Sequence, residues 1–207
     1  PEALEKSFCA SALQQVGNKL CALHLAIKSP GLNNSESIVR WIKKADGSYD
    51  HDFTLAEKYM DTYEKACGKP GILSVGDLDK TRVGKNPGPA GFPLLNVSVQ
   101  DPATGKLEAM AQPPYEKPEN EAFWKPVLME LRKRLEKRGW FDVTVVSHND
   151  YASAPIKEFV TTIKHIWPDG KWLQNGHPFV TRYEAMDGSF MPVACVEFVW
   201  GAGMLFN

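Results

Sequence analysis

The spacing of hydrophobic positions along this chain changes several times, and each change marks an element. In residues 1–18, Leu4, Phe8, Leu13 and Val16 recur at roughly helical spacing and Gly17 closes the pattern. KLCALHLAI, residues 19–27, then reads as a strand. A polar loop, KSPGLNNSES, leads through IVRWIKKADGSYD to Asp52, placed to cap a helix whose inner face carries Leu55, Tyr59, Met60 and Tyr63 and which ends at Gly68. GILSVGDL, residues 71–78, is a second strand. After the Pro/Gly-rich GKNPGPAGFP, apolar residues alternate on both sides of DPATG, predicting a hairpin over residues 94–115, inserted between units.

From Glu119 a long helix places Phe123, Trp124, Val127, Leu128, Leu131 and Leu135 on one face, tolerates Pro126 within its first turns, and stops at Gly139. A third strand starts at Phe141. A helix follows with Ile156, Phe159, Val160, Ile163 and Ile166 on one side, then a fourth strand, KWLQNGHP, and a fifth, MPVACVEFVWG. Strands apolar on both faces, alternating with helices, predict βαβ units and a parallel sheet covered by helices. No repeat or composition break divides the chain, so residues 1–207 read as a single α/β domain of catalytic type. About five core strands are readable, whereas a full eight-stranded barrel takes roughly 250 residues. The expected fold is therefore α/β and (β/α) barrel-like, incomplete, with a β-hairpin insertion.

Ligands of such sheets bind beyond the C-terminal strand ends, where loops vary without disturbing the core. His24 lies in the first strand, Asp77 ends the second, and His148, Asn149 and Asp150 end the third. Gln174, Asn175 and His177 follow the fourth, and Glu197 stands near Trp200 in the fifth. Each has a plainer reading: a satisfied core histidine at His24, an Asx turn at Asn149 and Asp150 capping the next helix, a loop histidine at His177. Glu197, flanked by Val196 and Phe198, is costly to bury without a partner or a task. Asp150 and Glu197 would supply the two carboxyls that glycosidic cleavage uses, one protonating the leaving oxygen and one stabilising the oxocarbenium-like centre. His148 and His177 would fix hydroxyls, Trp200 would stack on a sugar ring, and Tyr115 would shape the wall of the site. Successive residues of a regular strand point to opposite faces, so one pocket served by His148, Asn149 and Asp150 requires the strand to bend there.

Composition narrows the partners. With 24 Lys and Arg against 25 Asp and Glu, the net charge is -1, and no basic field exists to attract nucleic acid. The one basic run, RKRLEKR at 132–138, reads as a solvated outer face complementing the helix dipole. Cys9, Cys21, Cys67 and Cys195 are scattered without a C-x-x-C pair, so neither a metal centre nor a disulfide framework is expected; buried free thiols are the simplest reading. No apolar run is long enough to span a bilayer, and charges occupy the start where a signal peptide would be apolar. The chain reads as soluble and not membrane-bound. The start at Pro1 and the apolar end GAGMLFN are those of a processed form or an excerpt, secreted or periplasmic if cut from a longer precursor. G-x-G-x-x-G, G-x-x-x-x-G-K-[ST] and G-x-S-x-G are all missing, so no cofactor is expected and the partner is a carbohydrate, small or glycan. Two alternatives are a divalent-metal-dependent sugar isomerase or epimerase using His24, Asp150, His177 and Glu197, and a non-catalytic carbohydrate-binding domain.

The run from the long helix through KRGWFDVTVVSHND to IWPDGKW, about a quarter of the chain, resembles TIM-barrel glycoside hydrolases of the β-N-acetylgalactosaminidase type. In those a helix ending in Gly-Trp feeds a strand that closes on an acidic pair, and the next helix leads through a Pro-Gly turn into another strand. The resemblance implies substrate assistance, with Asn149 orienting the sugar's acetamido group and Asp150 acting as general acid/base; the substrate class read from the residues themselves is a neutral or amino sugar. It departs at two positions: Asp150 is one methylene shorter than the usual Glu, and Tyr151 stands where a proline often follows.

Overall fold

A computed structural model of the chain describes residues 20–27, 36–76, 78, 95–149, 154–175 and 181–196, with only the backbone described at 149, 175, 195 and 196. In chain order the elements are β1 (Leu20–His24), β2 (Arg40–Lys43), β3 (Tyr49–Asp52), α1 (Thr54–Cys67), β4 (Ile72–Gly76), β5 (Asn96–Gln100) and β6 (Leu107–Ala111). There follow α2 (Pro118–Arg138), a 3-10 turn (Phe141–Val143), β7 (Thr144–Asn149), α3 (Lys157–Ile166), β8 (Lys171–Asn175), β9 (Arg182–Glu184) and β10 (Phe190–Val196).

The main sheet has six strands in the order β1-β4-β7-β8-β10-β9. The first five are parallel and follow chain order without reversal; β9 lies antiparallel on the outer edge of β10. Register aligns Leu23, Val75, Val146, Trp172 and Val193 across the five strands. The first four of these are buried and belong to one apolar core, and Phe159 of α3 meets Trp172 edge-on at 5.7 Å, so this is the helix-covered face. On the other face Ala22 and Val145 are half-buried and Lys171 is exposed. There Ser74 donates to Ser147, Oγ to Oγ at 2.7 Å, across buried β4 and β7.

The helices bury the stripes their spacing predicts, with one shift. In α1 the buried residues are Ala56, Met60, Tyr63 and Cys67, and Leu55 is 41% exposed. The stripe starts one residue later than the Leu55 spacing predicts; at the helix entry the Asp52 carboxylate accepts hydrogen bonds from the N–H (2.8 Å) and Oγ1 (2.6 Å) of Thr54. Cys21 and Cys67 are both buried, and burial, reinforced by the neighbouring Cys67, pushes the Cys21 thiol up to about 12. In α2, Trp124, Val127, Leu128, Leu131 and Leu135 are buried, joined by Asn120, and Gly139 closes the helix in the left-handed conformation at φ 67. Among the described residues no helix is long and apolar enough to cross a membrane.

The basic run is a solvated face only in part: Lys133 is 80% exposed and Lys137 is exposed too, but the three arginines are packed and paired. Arg132 grips Asp169 with two hydrogen bonds (2.6 and 2.9 Å) and lies over the Phe141 ring at 4.2 Å. Arg134 donates to Glu57 at 2.8 Å, and Arg138 reaches Glu57, Asp61 and Glu64, binding the end of α2 along α1. Spacing along one helix could not reveal this, since every acidic partner except Glu130 and Glu136 comes from another element.

The predicted hairpin is present as β5 and β6, paired from Asn96 with Ala111 to Gln100 with Leu107. It is more than an insertion. With β2 and β3 it forms a second, four-stranded sheet in the order β3-β2-β5-β6. Ser37 and Ser98 clasp the two halves, each hydroxyl accepting the other's backbone N–H at 3.0 and 2.8 Å. Trp41 anchors this sheet on α2, stacked on Phe123 at 5.3 Å and edge-on to Trp124 at 5.7 Å.

Candidate functional site

At the C-terminal end of the main sheet, register brings His24 beside Gly76, and Asn149 beside Asn175, which is itself paired with Val196. The small sheet departs from this same edge: the Ile38 N–H donates to the His24 carbonyl at 3.1 Å, and Ile27 bridges to Asn96 at 2.6 Å. The hairpin thus leaves from the rim where ligands of parallel α/β sheets bind.

The expected bend at the third strand end does not occur before Asn149. The ladder between β7 and β8 runs unbroken through His148 with Gln174 and Asn149 with Asn175. His148, only 2% exposed, therefore lies on the helix-covered face together with Val146. The physical reason is that this face offers the imidazole a buried setting. Gln174 is its register partner, and the Tyr183 ring stands edge-on at 6.1 Å, with the Tyr183 hydroxyl donating to Gln174 Oε1. The sequence places Gln174 at a strand end but gives no local signal for Tyr183, whose strand is only three residues long.

Tyr115 is tied down rather than open to the rim: it is 6% exposed, its hydroxyl donates to the Leu78 carbonyl just beyond β4, and its ring meets Phe159 edge-on at 5.3 Å. His24 is half-buried at the end of β1. Asp77, Asp150, His177, Glu197 and Trp200 lie outside the described residues. Among the described residues no group of three or more His, Cys, Asp and Glu converges as metal ligands would, and of the four residues named for a metal site only His24 is described.

Two grooves are lined by other residues. One of about 500 Å³, at the start of α1, is lined by His51, Asp52, Glu57, Lys58, Asp61 and Arg134. Its acids are engaged structurally. Burial alone would raise the Glu57 carboxyl, but hydrogen bonds from Arg134 and Arg138 outweigh it and hold the group below its ordinary range. His51 in the same groove is pushed down by burial. The other, of about 140 Å³, opens at Thr144 and Lys171, the opposite end of the strands from Asn149.

Parallel α/β sheets of many unrelated functions bind their ligands beyond the C-terminal ends of the strands. The family model for the glycoside hydrolase 123 catalytic domain matches residues 6–191, and the chain belongs to that family. No curated protein sequence matches it. Among solved structures it is similar to a family 123 glycoside hydrolase from Clostridium perfringens, studied for glycolipid glycan hydrolysis, with a TM-score of 0.55 and 14% identity. That likeness, one of fold, covers 84% of this chain and 29% of the other, so the chain spans less than a third of its neighbour's length.

Proposed function

We propose that this domain carries the chemistry of a glycoside hydrolase acting on a glycan that presents an amino sugar, with Asn149 and Asp150 at its centre. The observation that carries the reading is the family match over residues 6–191, which contains a β7 whose ladder ends at Asn149 on the ligand-binding edge. In this reading the five in-order parallel strands are part of a (β/α) barrel; an unreversed strand order supports that, since a doubly wound sheet would reverse.

Asn149 orients the acetamido group, whose carbonyl oxygen attacks the anomeric carbon while Asp150 protonates the departing glycosidic oxygen. Water then opens the cyclic intermediate, its proton taken by Asp150. Glu197 provides the second carboxyl, with His177, Asp77 and His24 binding hydroxyls and Trp200 stacking on the ring. His148 and Tyr115, both buried, serve this site from behind rather than by contact. Glycolipid glycans, whose hydrolysis was studied with the Clostridium perfringens relative, are the first natural substrates to try.

The test is hydrolysis of aryl glycosides with and without the 2-acetamido group. Turnover restricted to the N-acetyl compounds, falling by about 10²- to 10⁴-fold in Asp150→Asn with unchanged melting, is expected. Equal turnover by Asp150→Asn would remove Asp150 as the acid, because Asn caps a helix as well as Asp. The shorter Asp150 favours one rival, a non-catalytic sugar-binding domain, which predicts binding of the same glycans without cleavage of any.

A further inference from the structure

We propose that His148, Gln174 and Tyr183 form a buried positioning cluster that fixes the C-terminal ends of β7 and β8, and through them the pair that begins at Asn149. This rests on the hydrolase reading for its catalytic consequence, and on geometry alone for the cluster.

Three polar side chains from three strands meet here at 2%, 1% and 1% exposure, respectively. Apolar residues would fill such a space without the cost of desolvating an imidazole, an amide and a phenol. What polar groups add is direction, since a hydrogen bond fixes orientation where packing alone leaves it loose. The placement gives that direction a use. His148 and Gln174 are register partners one residue before Asn149 and Asn175, so the cluster sits directly behind the last rung of the ladder.

Tyr183 is itself held from several sides. Its strand pairs with β10 at Met191, its hydroxyl donates to Gln174, and its ring stands edge-on to His148 at 6.1 Å and to Trp172 at 5.7 Å. The adjoining Glu184 pairs with Lys157 at 2.7 Å, at the start of α3, the helix that follows β7. A shift of β8 against β7 would therefore break contacts in β9 and α3 as well. Catalytic groups misplaced by about 1 Å lose on the order of 10²-fold in rate, so such support has a function.

Tyr183→Phe removes one oxygen and keeps the ring. Tyr183→Phe combined with Gln174→Leu removes both sides of the Tyr183–Gln174 hydrogen bond, so neither side of that bond is left facing a missing partner, which limits the loss of stability. Three measurements are made: melting temperature, steady-state kinetics (kcat and KM) on an N-acetyl aryl glycoside, and amide hydrogen exchange at Asn149 and Asn175 against Leu23 and Val75 as internal references. Positioning predicts that the double variant melts within about 5 °C of the parent. Its kcat falls about 10-fold or more with KM within about 2-fold, and exchange at the two strand ends rises about 10-fold over the references. Parent-like kcat in a double variant that melts within about 5 °C of the parent, or unchanged exchange at Asn149 and Asn175, overturns the proposal. A parent that cleaves no glycoside defeats the hydrolase reading alone; the exchange measurement then decides the cluster by itself, acceleration supporting it and no change overturning it.

Discussion

Replacing Arg138 by Ala tests whether the basic run holds the helical layer together. The Arg138 side chain is 17% exposed and reaches Glu57, itself 25% exposed, while its other partners Asp61 and Glu64 are 66% and 49% exposed. Exposed pairs contribute about 0 to 1 kcal/mol, whereas removing one partner of a buried pair costs about 3 to 5 kcal/mol. The Glu57 contact lies between these limits and the two outer contacts belong near the lower. The guanidinium also lies 5.6 Å from the Trp140 ring, an attraction of about 0.5 to 1 kcal/mol at a partly exposed site. Because Glu57 keeps Arg134 as a partner after the change, its charge is not stranded, and the expected loss is about 2 kcal/mol. For a chain of this size that corresponds to about 4 to 8 °C in Tm, read by thermal unfolding at neutral pH and low salt. The loss should shrink in acid. Glu57 is held below its ordinary range in the folded protein, so its contribution is full above the unfolded value of about 4.3 and disappears as pH falls through the lower folded value. A Tm change under about 1 °C at neutral pH, or a loss undiminished well below pH 4, would refute the clasp.

Other substitutions probe the remaining elements. Trp41→Ala should cost about 3 to 5 kcal/mol, because a fully buried ring joins the small sheet to α2; a melting change under about 3 °C would mean the two pack loosely. Asp52→Ala, which frees the first turn of α1, should cost about 1 kcal/mol, with Asp52→Asn near the parent, both read by denaturant midpoint. Leu55→Glu should change stability by no more than about 0.5 kcal/mol despite removing a leucine, and a loss above about 2 kcal/mol would show Leu55 to be covered.

The parts of the fold legible in the sequence are those where one period persists. The stripe from Trp124 to Leu135 gives α2 its buried face, and Gly139 its end, with no knowledge of neighbours. Strand and helix alternation gives the parallel sheet. What escaped was set by partners distant in sequence. YDHD does not look like a strand, yet Tyr49 to Asp52 pairs with RWIK, where Trp41 faces His51 and finds Phe123 and Trp124 beneath it. At the site, Asn149 was placed at a strand end because a β-branched run precedes it. The pleat's continuation through His148 depended on Gln174 and Tyr183, 26 and 35 residues further on, and nothing local to His148 announces them.

The short β9 also accounts for an irregularity in the alternation. Between β8 and β10 no helix intervenes in the described residues, although both strands are parallel and β8 carries Trp172 on the helix-covered face. An indole there needs apolar cover, and one side is supplied by Phe159 of α3. The other is supplied by Tyr183 of β9, edge-on at 5.7 Å. A helix could cover the same surface with aliphatic residues, but a strand turned back against β10 brings an aromatic ring that also carries a hydroxyl. That hydroxyl reaches Gln174 two residues beyond Trp172 on the same strand face. The turn is secured to α3 as well, through Lys164 with Asp187 at 2.6 Å and Thr161 accepting the Met186 N–H at 2.8 Å. Substituting a strand for a helix at this one position therefore does two things at once: it closes the core over β8 and places a directional polar contact behind the rim where Asn149 and Asn175 end their strands.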